Sequence, residues 1–389
     1  MKIGLFNDTF PPTIDGVANA TLNYAVNLHN FGGDVTVITP HYPHVTDNYP
    51  FKVQRYPSIP LTKKIGYRAG AFMPHNIVKM MSRNFDILHT HCPFASAVAV
   101  RTLRSGLIKP PSIFTYHTKF DIDIANRIGD EKLQRLTLKF ILGNIKAMDE
   151  VWVVSNGAGE SLRQIGYDGA YRVMPNGVDF PRGEASEEIV QDIKKMYNLQ
   201  EGAPNFLFVG RMMWYKNIKI ILDALKKLQS DGINFRMIFV GDGKDRPAIE
   251  QYCTMQRLND KVVFVGPVYD RERLRGFFTV ADLFLFPSTY DTSGLVVGEA
   301  AACNTASLLV KNSAASDGIE DGVCGYLCEE NAESAAKVIT AAIKSGKMRE
   351  VGLTASRDIY RSWEEAVSVA HERYYKILEK RKARKKGFF

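Results

Sequence analysis

KIGLFNDTFPPTIDGVANATLNYAVNLHNFGGDVTVIT, residues 2–39, carries a complete strand–helix–strand unit. KIGLF and VTVIT are short β-branched or aromatic runs, the pattern of parallel strands buried on both faces. Between them GVANATLNYAVNLHNFGG spaces its apolar residues as an amphipathic helix, and Gly32 and Gly33 mark where it stops. The same theme runs on through DILHT, SIFTY and EVWVV. The second half repeats it with NFLFVG, FRMIFVG, KVVFVG, DLFLFPS and SLLV, and with helices such as NIKIILDALKKL between strands. Strand and helix alternate in two halves, which predicts an α/β protein of two Rossmann-like, doubly wound domains.

At 389 residues the chain exceeds one ordinary core, which also points to two domains. The joint is expected near FPRGEAS, after the turn PNGVD, giving an N-terminal domain 1–181 and a C-terminal domain 182–361. RSWEEAVSVAHERYYKILEK forms a last helix within 362–389, expected to pack back toward the N-terminal domain. It ends in KRKARKKGFF, with six basic residues from Lys380 to Lys386. Open α/β sheets bind ligands beyond the carboxyl ends of their strands, so two such domains are expected to face a central cleft.

Composition is that of a soluble globular protein, 45% hydrophobic and 24% charged. No apolar run approaches the ~20 residues that span a bilayer. The chain enters a strand pattern at once, so no signal peptide and a cytoplasmic location are expected. Five scattered cysteines include Cys324 and Cys328, but no second Cys/His pair follows at zinc spacing. The net charge of +8 suits an anionic partner such as a nucleotide or an acidic lipid surface. No RNA- or DNA-binding motif accompanies it, so nucleic acid is not expected.

VGRMMWYKN, residues 209–217, ends a strand at Val209 and sets Arg211 and Lys216 at the mouth of a strand-to-helix turn. Two cations there suit a diphosphate, gripped bidentately by arginine and as a point charge by lysine. Taken alone, the pair reads first as solvated surface charge. In FLFPSTYDTSGLVVGEAA, residues 284–301, a strand ends and Thr292 or Ser293 is placed to cap a helix beginning near Gly294. Backbone N–H groups of that first turn, through Leu295 and Val296, make an anion site. Asp291 precedes the turn and Glu299 lies within the helix. At ~1.5 Å rise per residue the two carboxylates stand about 10 Å apart. That exceeds the ~5–5.5 Å of a retaining glycosidase pair. It fits a ligand with hydroxyls at both ends and phosphates between, a nucleotide sugar.

GR-x4-K followed by PS-x2-acid-x2-G-x4-E resembles the retaining glycosyltransferases of family 4, which have the two-Rossmann GT-B fold. FPPTIDGVA, YHTKF, PNGVD, VGDGKDR and VFVGPVYDRERL extend the likeness, in family order, over almost the whole chain. The resemblance implies an acceptor-binding N-terminal domain and a nucleotide-sugar-binding C-terminal domain. It implies that Arg211 and Lys216 hold the donor diphosphate, Glu299 the ribose and Asp291 the transferred sugar. Gly16 would let backbone approach phosphate closely, His117 would line the reaction centre and Val268 would lie near the base. The family usually carries Glu where this chain has Asp291, a reach about one methylene shorter. No cofactor or metal is implied, because fixed cations stabilise the departing diphosphate.

Three look-alikes are read otherwise. FDIDI follows YHTKF rather than a strand, so Asp121 and Asp123 read as a turn. HTHC holds His89 and His91 on one side of a strand end, without a carboxylate, and is expected to line the cleft. GDGKDR has two of the three glycines of a dinucleotide fingerprint.

The acceptor is read from Leu61 to Phe85, where Lys63, Lys64, Arg68, Lys79 and Arg83 mix with apolar residues as in a helix lying on anionic lipid. The basic tail adds a second contact. Together with the likeness of YHTKF to diacylglycerol glucosyltransferases, this predicts glucose transfer from UDP-glucose to 1,2-diacylglycerol at the inner face of the membrane. A soluble or polysaccharide-precursor acceptor is the alternative, followed by an inactive nucleotide-sugar binder.

Overall fold

Lys2–Phe6 (β1) lies near the middle of a parallel sheet and is followed by Gly16–Asn30 (α1) and Asp34–Pro40 (β2). Next come Lys52–Tyr56 (β3), Ser58–Pro60 (β4), Arg68–Gly70 (β5), Ile87–Thr90 (β6) and Ala95–Arg104 (α2). Ser112–Tyr116 (β7), Glu131–Lys146 (α3), Glu150–Val153 (β8), Asn156–Gln164 (α4) and Arg172–Val173 (β9) complete the sheet. The computed structural model describes residues 1–13, 15–60, 68–70, 84–106, 109–120, 124, 128–199 and 202–386.

The strand order is β3-β2-β1-β6-β7-β8-β9, parallel throughout, with β4 and β5 a separate antiparallel pair. Successive residues of one strand serve opposite faces. Ile3 and Leu5 join Val35, Val37 and Trp152 in one core, whereas Phe6 joins Leu88, Phe114 and Val153 in the other. Both faces are covered, which is why the strands read as unbroken apolar runs. Asp15 caps α1 by accepting from Ala18 N at 2.7 Å.

The second unit runs through Glu187–Met196 (α5), Asn205–Val209 (β10), Ile218–Ser230 (α6), Arg236–Val240 (β11), Arg246–Met255 (α7) and Val262–Gly266 (β12). It continues with Arg271–Val280 (α8), Leu283–Phe286 (β13), Leu295–Ala302 (α9), Ala306–Val310 (β14), Tyr326–Cys328 (β15), Ala332–Ser345 (α10) and Met348–Asp358 (α11). Its order, β12-β11-β10-β13-β14-β15, is again wholly parallel. That is the doubly wound 3-2-1-4-5-6 order, in which ligands bind where the order reverses. Here the reversal falls between the carboxyl ends of β10 and β13.

Trp363–Lys386 (α12) returns to the first unit, where Trp363, Val367, Ala370 and Tyr374 join the core of Ile3, Tyr24 and Leu28. Tyr374 stacks on Trp152 with ring centroids 5.6 Å apart. The units divide at Asn176/Gly177 and again after Ser362, rather than after residues 181 and 361. The shift has a local cause. Val178 N donates to Arg361 O at 3.0 Å and Tyr360 Oη to Phe180 O at 3.0 Å, so the chain already belongs to the second unit from within the PNGVD turn.

Strands β3, β9 and β15 have no counterpart in the sequence reading. They are edge strands, short or mixed in polarity, and have one strand neighbour rather than two. Among the described residues no helix is long and apolar enough to cross a membrane.

Candidate functional site

At the carboxyl end of β10 the chain enters the 210–217 loop, stapled to the loop after β11. Met212 N donates to Asp242 O at 3.0 Å and Trp214 N to Asp245 Oδ2 at 3.0 Å. Gly241 makes the close approach possible: its φ is +132°, and an added Cβ would lie 2.0 Å from Gly210 O. Trp214–Lys216 form one 3₁₀ turn, closed by Asn217 in the left-handed region at φ 58°. The Asn217 amide donates to Pro287 O at 2.9 Å and Glu330 Oε1 at 2.7 Å, fixing the loop against the end of β13.

This geometry drives Lys216 inward. Its Nζ lies 2.6 and 2.7 Å from the two Asp291 carboxylate oxygens, with 7% of its side chain exposed. Ser288 Oγ donates to Asp291 Oδ2 at 2.6 Å. The rings of Tyr215, Phe286 and Tyr290 lie 5.6–5.8 Å from the ammonium. Burial lowers the Lys216 pKa below the ordinary lysine range, against the pull of Asp291; the nearby Arg211 charge acts with burial. Arg211 itself is exposed, with its guanidinium 6.0 Å from the Tyr215 ring. One cation of the motif is therefore held by a carboxylate and the other faces solvent.

Helix α9 starts one residue later than its sequence suggests, and neither Thr292 nor Ser293 caps it. Gly294 is the N-cap, at φ 53° and ψ 45°, and it has no side chain with which to cap the first turn. The left-handed conformation is one glycine adopts freely, and it aims the axis through Leu295 and Val296. Deeper in the helix, Glu299 keeps 12% of its side chain exposed and accepts from Arg271 at 2.8 Å. Arg271 also lies 3.7 Å from Asp179 and packs over the Phe180 ring at 4.3 Å. Burial raises the Glu299 pKa, while the Arg271 charge and hydrogen bond hold it down and Asp179 adds to the rise. Val268, just past β12, is half-buried against the core.

Both carboxylates of the motif are thus ion-paired, where the spacing alone presented them as open ends of a hydroxyl cradle. Arg271 and Ser288 were not anticipated as members of the site. Arg271 sits in the DRERL run at the start of α8, where its sequence gives no sign that it reaches a carboxylate on α9.

In the first unit, Gly16 is the first residue of α1 rather than part of the preceding loop. An added Cβ there would meet nothing within 4 Å, so packing within the chain does not require a glycine. His117 is 8% exposed and its Nε2 lies 3.0 Å from His91 Nδ1. His89 and His91 do not line a surface: both are fully buried, and His89 bridges Tyr374 Oη at 2.6 Å and Thr115 Oγ1 at 2.7 Å. For His89 the reason is α12, whose Tyr374 packs on it, and His91 packs against Tyr24 of α1. Burial pushes all three histidines down, His117 to about 3.

Arg68 lies on strand β5, not on a lipid-facing helix. Its guanidinium donates to Ser58 Oγ at 2.8 Å and Ser58 O at 2.9 Å and rests over Tyr42. Lys63, Lys64, Lys79 and Arg83 lie outside the described residues.

Two Rossmann-like parallel sheets, the second gathering Arg211, Lys216, Asp291 and Glu299 around its switch point, define the GT-B class of glycosyltransferases. A family model described as glycosyl transferases group 1 matches residues 190–354, and one described as Glycosyltransferase Family 4 matches residues 14–182. The alpha-monoglucosyldiacylglycerol synthase of Streptococcus pneumoniae is 27% identical over 90% of this chain and 80% of its own. That of Acholeplasma laidlawii is 25% identical over 86% of each. Among solved structures, Anabaena HepE in complex with UDP-glucose superposes with a TM-score of 0.71 over 98% of this chain and 100% of its own, at 16% identity. The chain belongs to the family 4 glycosyltransferases, and its reaction is the transfer of a hexosyl group.

Proposed function

We propose that the enzyme transfers glucose, with retention, from UDP-glucose to 1,2-diacylglycerol, working as a peripheral protein at the inner face of the cell membrane. The observation that carries the donor half is the meeting of Arg211, Lys216, Asp291 and the glycine-capped N-terminus of α9 at the switch point of the second sheet. Arg211 and the first-turn amides bind diphosphate. Lys216 joins them once the phosphate charge replaces Asp291, and Asp291 then accepts from sugar hydroxyls. Glu299 receives the ribose, and Val268 borders the base. As the glycosidic bond breaks, charge develops on the departing diphosphate, and fixed cations aimed at it lower the barrier. In this reading no metal is needed, His117 serves the sugar and Gly16 the phosphates.

The diacylglycerol half is supported by the two synthases among the relatives. UDP-glucose is supported by those names and by the ligand of the HepE structure. Thermal-shift titration with UDP- and GDP-sugars tests the donor, since a bound ligand stabilises by RT ln(1 + [L]/Kd). Transfer of labelled glucose to diacylglycerol in detergent micelles tests the acceptor. No shift with any nucleotide sugar sinks the donor site, and transfer only to soluble acceptors sinks the lipid reading.

A further inference from the structure

Helix α3 turns one face into the first unit, where Ile141, Asn144 and Ile145 are buried and Leu138 and Leu142 pack on the same core. Its outer face is not the polar surface that a helix normally gives to water. Leu133 is 50% exposed, Leu136 63% and Phe140 48%. At ~100° per residue these three fall in a strip about 60° wide along the helix. Lys132, Arg135 and Lys139 form a second strip of about the same width directly beside it. All three cations are exposed, and none forms a salt bridge with another described residue.

The apolar strip continues onto α2. Asn144, one turn beyond Phe140, donates to Pro93 O at 2.8 Å, and the neighbouring Phe94 and Val98 are 37% and 38% exposed. Three half-exposed apolar side chains of α3 are thus joined by the partly exposed Phe94, at the N-cap of α2, and Val98 on α2, bordered by positive charge on one side.

We propose that the outer face of α3, with Val98 of α2 and Phe94 at its N-cap, docks on an anionic lipid bilayer. Apolar residues beside a basic strip match the boundary between acyl chains and phosphates, where a helix lies in the plane of the surface. A second copy of the chain fits less well. A twofold contact sets the same patch against itself, which leaves the basic strips without acidic partners. The site rests on the lipid-acceptor reading for its purpose, and its residues are others than those of Leu61–Phe85.

The test is co-sedimentation of the full chain with phosphatidylglycerol/phosphatidylcholine vesicles, without donor or diacylglycerol. Leu133→Ser/Leu136→Ser/Phe140→Ser should lower the partition coefficient by about tenfold or more, as expected when this much apolar area stops inserting. Lys132→Glu/Arg135→Glu/Lys139→Glu should abolish the preference for anionic over neutral vesicles at low salt. All substituted positions are exposed, and a further variant guards against trivial misfolding: Leu136→Trp should blue-shift with vesicles and be quenched by brominated lipid. Wild-type partition of both triple variants, or an introduced tryptophan that stays unquenched, overturns the proposal. So does a wild-type dimer that the apolar variant dissociates while vesicle binding is unchanged. Glucose transfer to micellar diacylglycerol is read in parallel. The variants should retain it, and its absence from the wild type would sink the acceptor reading without touching the docking surface.

Discussion

Asp291→Asn separates the carboxylate's grip on Lys216 from its proposed contact with sugar. The Lys216 side chain is 7% exposed and both Asp291 oxygens lie within 2.7 Å of its ammonium. An amide in place of the carboxylate leaves the charge among three aromatic rings without a counter-charge. Breaking one side of a buried pair costs about 3–5 kcal/mol. The upper bound has an independent source, because the lysine can shed its proton. At pH 7, neutralising a group with an ordinary pKa of 10.5 costs at most about 5 kcal/mol. For a unit of this size the midpoint of thermal unfolding should drop by roughly 6–20 °C. Ligand then discriminates between the two roles. UDP competes with Asp291 for the ammonium, so the variant should bind UDP more tightly than the wild type does and recover more stability from it. UDP-glucose should show less of this gain, because the hydroxyl acceptor is also lost. Calorimetric titration with both ligands, beside melting curves, reads these effects. A variant that melts within about 1 °C of the wild type, or binds UDP no more tightly, would refute the reasoning.

Arg211→Ala removes the exposed cation without disturbing the core, so melting should be unchanged while kcat falls about 10²–10³-fold; near-wild-type turnover would exclude its proposed role. Lys216, depressed by burial, should lose its proton at a pH below the usual lysine range. In that window the unfolded chain holds the extra proton, so unfolding free energy should rise with pH while UDP affinity falls, and parallel titrations check the opposite slopes. His89, His91 and His117 are neutral when folded and charge on unfolding below pH ~6.5. Stability should therefore be lost as pH falls from that value, by about 1.4 kcal/mol per unit for each histidine well below it. A melting midpoint flat between pH 6.5 and 5 would contradict that account. Turnover should survive chelation by EDTA, since fixed cations supply the charge in the proposed mechanism.

The sequence by itself determined the two parallel sheets and set Arg211 and Asp291 beside the switch point of the second. Strands buried on both faces must be apolar at every position, so KIGLF, NFLFV and LFLF are visible without coordinates. Edge strands such as KVQRY escape that constraint and stay hidden. Arg211, Lys216, Asp291 and Glu299 were legible because strand-to-helix turns fix local spacing. What each of them touches was decided only by tertiary structure. Arg271 reaches Glu299 from another helix, and Asn217 swings Lys216 onto Asp291 from 75 residues away in the chain. His89 and His91 read as cleft lining until Tyr374 of α12 closes over His89 and Tyr24 of α1 over His91, and only the packing of α3 shows that Leu133, Leu136 and Phe140 face outward. Periodicity says that a helix has an apolar stripe, but only the packing of its neighbours decides which residues that stripe leaves in water.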